Sequence, residues 1–126
     1  MATIPEQWVD QARYDFDTAR AMFDNRRFLY VLFCCQQAVE KMLKGVIAKR
    51  TGEFPPRLHN LMRLAEHTGL EFEEARLSFF GELSSYYIQT RYPKETDTLL
   101  NNVSQEIAQE IVTETEDTIR WLSSMI

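Results

Sequence analysis

Four polar side chains interrupt an otherwise apolar stretch. Gln37, Glu40, Lys41 and Lys44 stand among Phe28, Leu32, Cys35, Val39, Met42, Val46 and Ile47. On a helix these four fall within about 100° of one another around the axis. The resulting stripe carries an amide, a carboxylate and two ammonium groups, a set able to hold an anion while the carboxylate and amide orient the cations. The alternative is a solvated edge stitched by Glu40 and Lys44, an i,i+4 pair in the favourable order. A second group, Tyr86, Tyr87, Arg91 and Tyr92, gathers near the end of another helix. Arginine is a planar fork for phosphate, and phenol rings stack on bases. Its alternative role is to cap carbonyls and answer the helix dipole. His59, just after Pro55-Pro56, is a third candidate, with a cap or packing group as its alternative.

Charge marks the same region. The chain has 126 residues and a net charge of −5. Residues 1–25 hold 2 basic and 5 acidic side chains, residues 26–63 hold 8 and 2, and residues 64–126 hold 4 and 12. The middle is a basic island in an acidic protein. Either packed helices complement one another across it, or it receives phosphate or nucleic acid.

These side chains need a scaffold. A 44% hydrophobic fraction with 12% aromatics suits a packed core, and 126 residues suit a single domain spanning 1–126. Only 4 Gly and 4 Pro are present, so long helices can run uninterrupted. Thr3 and Glu6 offer a capping box and Pro5 suits a first turn, so a helix begins there. Its stripe is Trp8, Ala12, Phe16, Ala19 and Phe23, ending near Asp24-Asn25. A second helix, about Arg27 to Arg50, is so broadly apolar, with Leu29, Phe33, Ala38 and Leu43 widening its face, that it must be touched on several sides; Gly52 stops it. After the loop Glu53-Phe54-Pro55-Pro56-Arg57, a short helix starts at His59 or Asn60 and runs to about Glu66, with Gly69 ending it. A fourth runs from about Phe72 to Thr90, with Phe72, Ala75, Phe79, Leu83, Tyr86 and Tyr87 inward, and breaks at Tyr92-Pro93. A last one, from Asn102 or Ser104 to Ser123, buries Val103, Ile107, Ile111, Thr115, Ile119 and Leu122. Strand patterns with hairpin turns are missing. The expected fold is all-α, an up-and-down antiparallel bundle of about five helices.

No apolar run reaches the ~20 residues needed to span a bilayer, and the first residues lack a signal peptide's basic start and apolar core. Cys34 and Cys35 are adjacent, point about 100° apart on a helix, and fit reduced, mostly buried thiols of a cytoplasmic protein. No second ligand pair is spaced to hold a metal with them, so neither metal nor cofactor is expected.

The stretch Cys35-Gln36-Gln37-Ala38-Val39-Glu40-Lys41-Met42-Leu43-Lys44, then Leu58-His59-Asn60-Leu61, then Tyr87 and Arg91-Tyr92-Pro93, resembles the signature of the HEPN domain family. Trp8, Ala12, Asp15, Ala19 and Phe23 fit it too, so the resemblance covers nearly the whole chain. It implies a bundle of about five helices that usually dimerises. It also implies pairing with a small minimal nucleotidyltransferase, often within a toxin–antitoxin module. Many members are metal-independent endoribonucleases, in which an arginine is followed several residues later by a histidine. The histidine moves the 2′-hydroxyl proton while the arginine holds the scissile phosphate. Here Arg91 is followed by Tyr92, Pro93, Lys94, Glu95, Thr96, Asp97 and Thr98, with no histidine to shuttle a proton near neutral pH. The Arg-Tyr-Pro form resembles members described as nucleotide-binding or as nucleotidyltransferase partners.

The expectation is therefore a homodimeric module that binds a nucleotide, RNA or a partner protein. Its ligand residues would be Gln37, Glu40, Lys41, Lys44, Tyr87, Arg91 and Tyr92. An RNA-cleaving toxin is the alternative, with His59 and Arg91 as catalytic pair. A purely structural helical adaptor is the third.

Overall fold

A computed structural model of the chain describes residues 1–89 and 91–126. Among these residues there are six helices and no strand: α1 (Ile4–Asp24), α2 (Phe28–Thr51), α3 (Leu61–Thr68), α4 (Glu74–Gln89), α5 (Pro93–Asn102) and α6 (Gln105–Ser123). The expected end of the fourth helix at Thr90 lies outside the described residues.

Local chemistry sets most boundaries. At α1 the capping box is complete: Thr3 Oγ1 accepts from the Glu6 amide at 3.3 Å, and Glu6 Oε2 accepts from the Thr3 amide at 2.9 Å. Thr3→Ala removes one half of it and is expected to cost about 1 kcal/mol, measurable by urea denaturation. Asn60 and Ser104 cap α3 and α6 through side-chain oxygens that accept from the amides of Arg63 and Ile107. Gly52 and Gly69 close α2 and α3 with φ of +73° and +72°, a left-handed turn open to glycine at little cost.

Two expectations need correction. The segment after Tyr92 forms a sixth helix, because Pro93 occupies its first turn, where a missing amide proton costs nothing. Its hold on the core is slight, since Leu99 is its one buried residue. Ala75 is exposed rather than inward, because α4 turns Phe79, Phe80, Leu83 and Ser84 to the core instead. Of the two starts that the sequence offered for α3, Asn60 is the cap, and His59 lies just before it, outside the helix.

Helix α2 is the axis of the molecule. At 24 residues it is roughly 36 Å long, and it packs against α1, α3, α4, α5 and α6. Val31, Leu32, Cys35, Ala38, Val39, Leu43 and Val46 are fully buried along it. Gly45 serves close approach: an added Cβ would lie 3.3 Å from Trp8 Cβ and 3.1 Å from Ile126 Cδ1. Without a side chain there, α1 settles tightly and Trp8 reaches the neighbouring Lys44. Phe72 closes the far side, meeting Phe80 and Trp121 edge-on at 5.5 Å from each.

Candidate functional site

Glu40 sits in the middle of α2 and is only 4% exposed. A buried carboxylate must be paired and hydrogen-bonded to remain ionised. Three donors meet it: Lys44 Nζ at 3.1 Å, Gln36 Nε2 at 3.3 Å and His59 Nδ1 at 3.2 Å. Gln36 Nε2 also donates to the His59 carbonyl at 3.0 Å, so one amide fixes both partners. Lys44 is itself 7% exposed and lies 5.6 Å from the Trp8 ring centroid. The pair is thus a buried ion pair and not a solvated edge. Its spacing was visible in the sequence; its burial was not.

His59 is placed by the double-proline loop, which returns the chain to α2. A carboxylate only accepts hydrogen bonds, so Nδ1 carries the proton and donates to Glu40. Nε2 has no partner among the described residues, and the side chain is 55% exposed. The ring is therefore held at one nitrogen and offered to solvent at the other.

From His59 the contacts continue. Its ring lies 5.6 Å from that of Tyr87, which stacks on Phe33 at 5.9 Å. The Arg91 guanidinium donates to the Tyr87 hydroxyl and sits 4.7 Å from the Tyr87 ring centroid. His59, Asn60, Ser84, Tyr87, Ile88, Arg91 and Tyr92 together line a groove of about 340 Å³. Ser84 anchors its wall by accepting from the Leu61 amide at 3.0 Å. Arg91 and Tyr92 are exposed, so a phosphate and a base can reach both.

The expected site residues thus separate. Tyr87, Arg91 and Tyr92 come together, and His59 joins them. Glu40 and Lys44 stand behind His59 as its support, with the Lys44 ammonium held by Glu40. Lys41 turns the other way and pairs with Asp15 of α1 at 2.7 Å. Neither lysine lines the groove beside Arg91, and half-buried Gln37 is not among its walls either. Gln36, Asn60 and Ser84 were not singled out from sequence as site residues. Gln36 carried a usable signal, standing four residues before Glu40 on the same helix face; the other two depend on the tertiary fold.

Among the described residues no other group competes as a reactive centre. Burial pushes the Cys35 thiol up to about 12, and burial with the nearby Asp15 charge raises Cys34. Both cysteines are free, and among the described residues no cluster of His, Cys, Asp and Glu could hold a metal ion. Because the thiolate is the nucleophile, native protein at pH 8 is expected to react slowly with a disulfide reagent such as DTNB and to release both thiols promptly once unfolded. Arg13, Arg20 and Arg120 border another groove between α1 and α6. There Arg20 and Arg120 share Glu116, which offsets part of the positive charge. Among the described residues no helix is long and apolar enough to cross a membrane.

Comparisons with known proteins agree on the fold. The family model described as HEPN domain matches residues 5–125. The crystal structure of TT1696 from Thermus thermophilus superposes with a TM-score of 0.83 at 22% identity, covering 97% of this chain and 98% of that one. ST0689, described as an archaeal HEPN homologue, superposes at 0.75 with 22% identity and 98% of each chain covered. A comparison with curated proteins gave no match.

Proposed function

Given that the chain belongs to the HEPN domain family, we propose that it is a binding module for the phosphate of a nucleotide or a short single-stranded RNA. One observation carries this: Arg91, His59, Tyr87 and Tyr92 border a single groove. Arg91 supplies the phosphate fork. Tyr92, 56% exposed, is the ring available to stack on a base. Glu40, Lys44 and Gln36 position His59 and stay behind it. Calorimetry with ATP, GTP and a short single-stranded RNA tests the reading; it is abandoned if none of them binds. As the resemblance implies, the module acts as a homodimer and pairs with a minimal nucleotidyltransferase within a toxin–antitoxin system. Co-purification from the native host, with the bound proteins identified, tests that part.

A second reading has its own observation. The Glu40–His59 pair leaves Nε2 able to accept a proton in the groove that Arg91 also lines. In an RNA strand held there, Nε2 would take the 2′-hydroxyl proton while the 2′-oxygen attacks phosphorus. The 5′-oxygen would leave and pick up a proton, giving a cyclic phosphate. This reading predicts cleavage that survives EDTA and is lost in both His59→Ala and Arg91→Ala. Intact RNA after incubation with the wild-type protein removes it and leaves the binding reading standing.

A further inference from the structure

We infer that the furrow between α4 and α6 is a docking site for a short basic amphipathic helix of a partner protein. Both helices pack on α2, and between them runs a groove of about 370 Å³. Its floor is apolar: Phe79 from α4 and Ile107 and Ile111 from α6. The α4 rim is low because Ala75 and Ser78 are small and exposed, so another backbone can come close. Ala75 to Tyr86 spans about 16 Å of helix axis, and Ile107 to Glu114 about 10 Å. That is the length of two to three helical turns.

Charge selects the occupant. Glu82, Glu110 and Glu114 stand along the walls, and among the described residues Glu110 and Glu114 have no ion-pair partner. Glu106, Glu110 and Glu114 follow one another at four-residue intervals along α6, an arrangement that repels itself. Glu114 is also half-buried. The nearest arginine of α4, Arg76, is committed to Asp117 and to the Thr118 hydroxyl. The Tyr86 phenol feels the same field: burial, the Glu82 charge and a hydrogen bond to Glu82 all raise its pKa. An apolar stripe flanked by lysine or arginine satisfies both floor and walls.

The probe is a three-turn Leu/Lys amphipathic peptide, added to ¹⁵N-labelled protein beside a Leu/Glu peptide of the same pattern. Amide shifts confined to α4 and α6, weakened by salt and absent with the Leu/Glu peptide, are expected. The double variant Glu110→Gln/Glu114→Gln should lower the affinity about tenfold, with a thermal midpoint no lower than that of the wild type as the check on folding, since it also relieves the repulsion along α6. Shifts scattered over the acidic surface, equal binding of the Leu/Glu peptide, or undiminished binding by the double variant would each overturn the proposal. So would a homodimer that the double variant dissociates, because the occupant would then be a second copy of this chain. None of these outcomes bears on the Arg91 groove.

Discussion

Glu40→Ala is expected to cost the folded state about 3–5 kcal/mol, because it strands the Lys44 ammonium in the protein interior without its partner. Side-chain exposures of 9% for Lys44 and 5% for Glu40 leave little room for water to compensate. Gln36 and His59 also lose their shared acceptor. A domain of this size has roughly 5–15 kcal/mol of stability in total, so urea denaturation should register a large fall in the midpoint. Replacing both members, Glu40→Leu with Lys44→Met, removes the stranded charge. It should recover most of the loss, since a buried pair exchanged for apolar groups of similar volume is often neutral or stabilising. If the double variant is as unstable as Glu40→Ala, lost packing and not charge is the cause.

Arg91→Ala should do the opposite kind of damage. Arg91 is exposed, and its contacts are with Tyr87 on the same surface, so stability should change by less than about 0.5 kcal/mol. Hydrogen bonds from a charged donor to phosphate are worth about 1.5–3 kcal/mol. Nucleotide affinity should therefore fall roughly 10- to 100-fold, at about 1.4 kcal/mol per decade. Arg91→Lys should recover only part, because an ammonium keeps the charge and loses the fork. Calorimetry beside a thermal melt of each variant separates the two effects.

The scaffold was legible wherever a residue acts on its own helix. Thr3 with Glu6, Asn60, Ser104, Gly52 and Gly69 all mark ends that the structure keeps within a residue or two. The breadth of the apolar face on α2 announced its central place. Helix α5 escaped because Pro93 breaks one helix and starts the next, and the stretch beyond it offers only Leu99 and Leu100 as apolar residues. Partnerships across the fold were less visible. Lys41 meets Asp15, and His59 meets Glu40 and Tyr87, through loop closures that no local pattern encodes. So the lysines looked like ligands for an anion, while the groove beside Arg91 is in fact completed by a histidine 32 positions earlier in the chain. The absence of a histidine soon after Arg91 counted against catalysis, which stayed the alternative with His59 and Arg91 as its pair. His59 and Arg91 line one groove, and that keeps the alternative as a second reading.

The groove itself can be tested by mapping where a ligand lands. On ¹⁵N-labelled protein titrated with a short single-stranded RNA, the amides of His59, Tyr87, Arg91 and Tyr92 should move first and saturate together. Shifts that instead gather around Arg13, Arg20 and Arg120, leaving those four unmoved, would contradict the account.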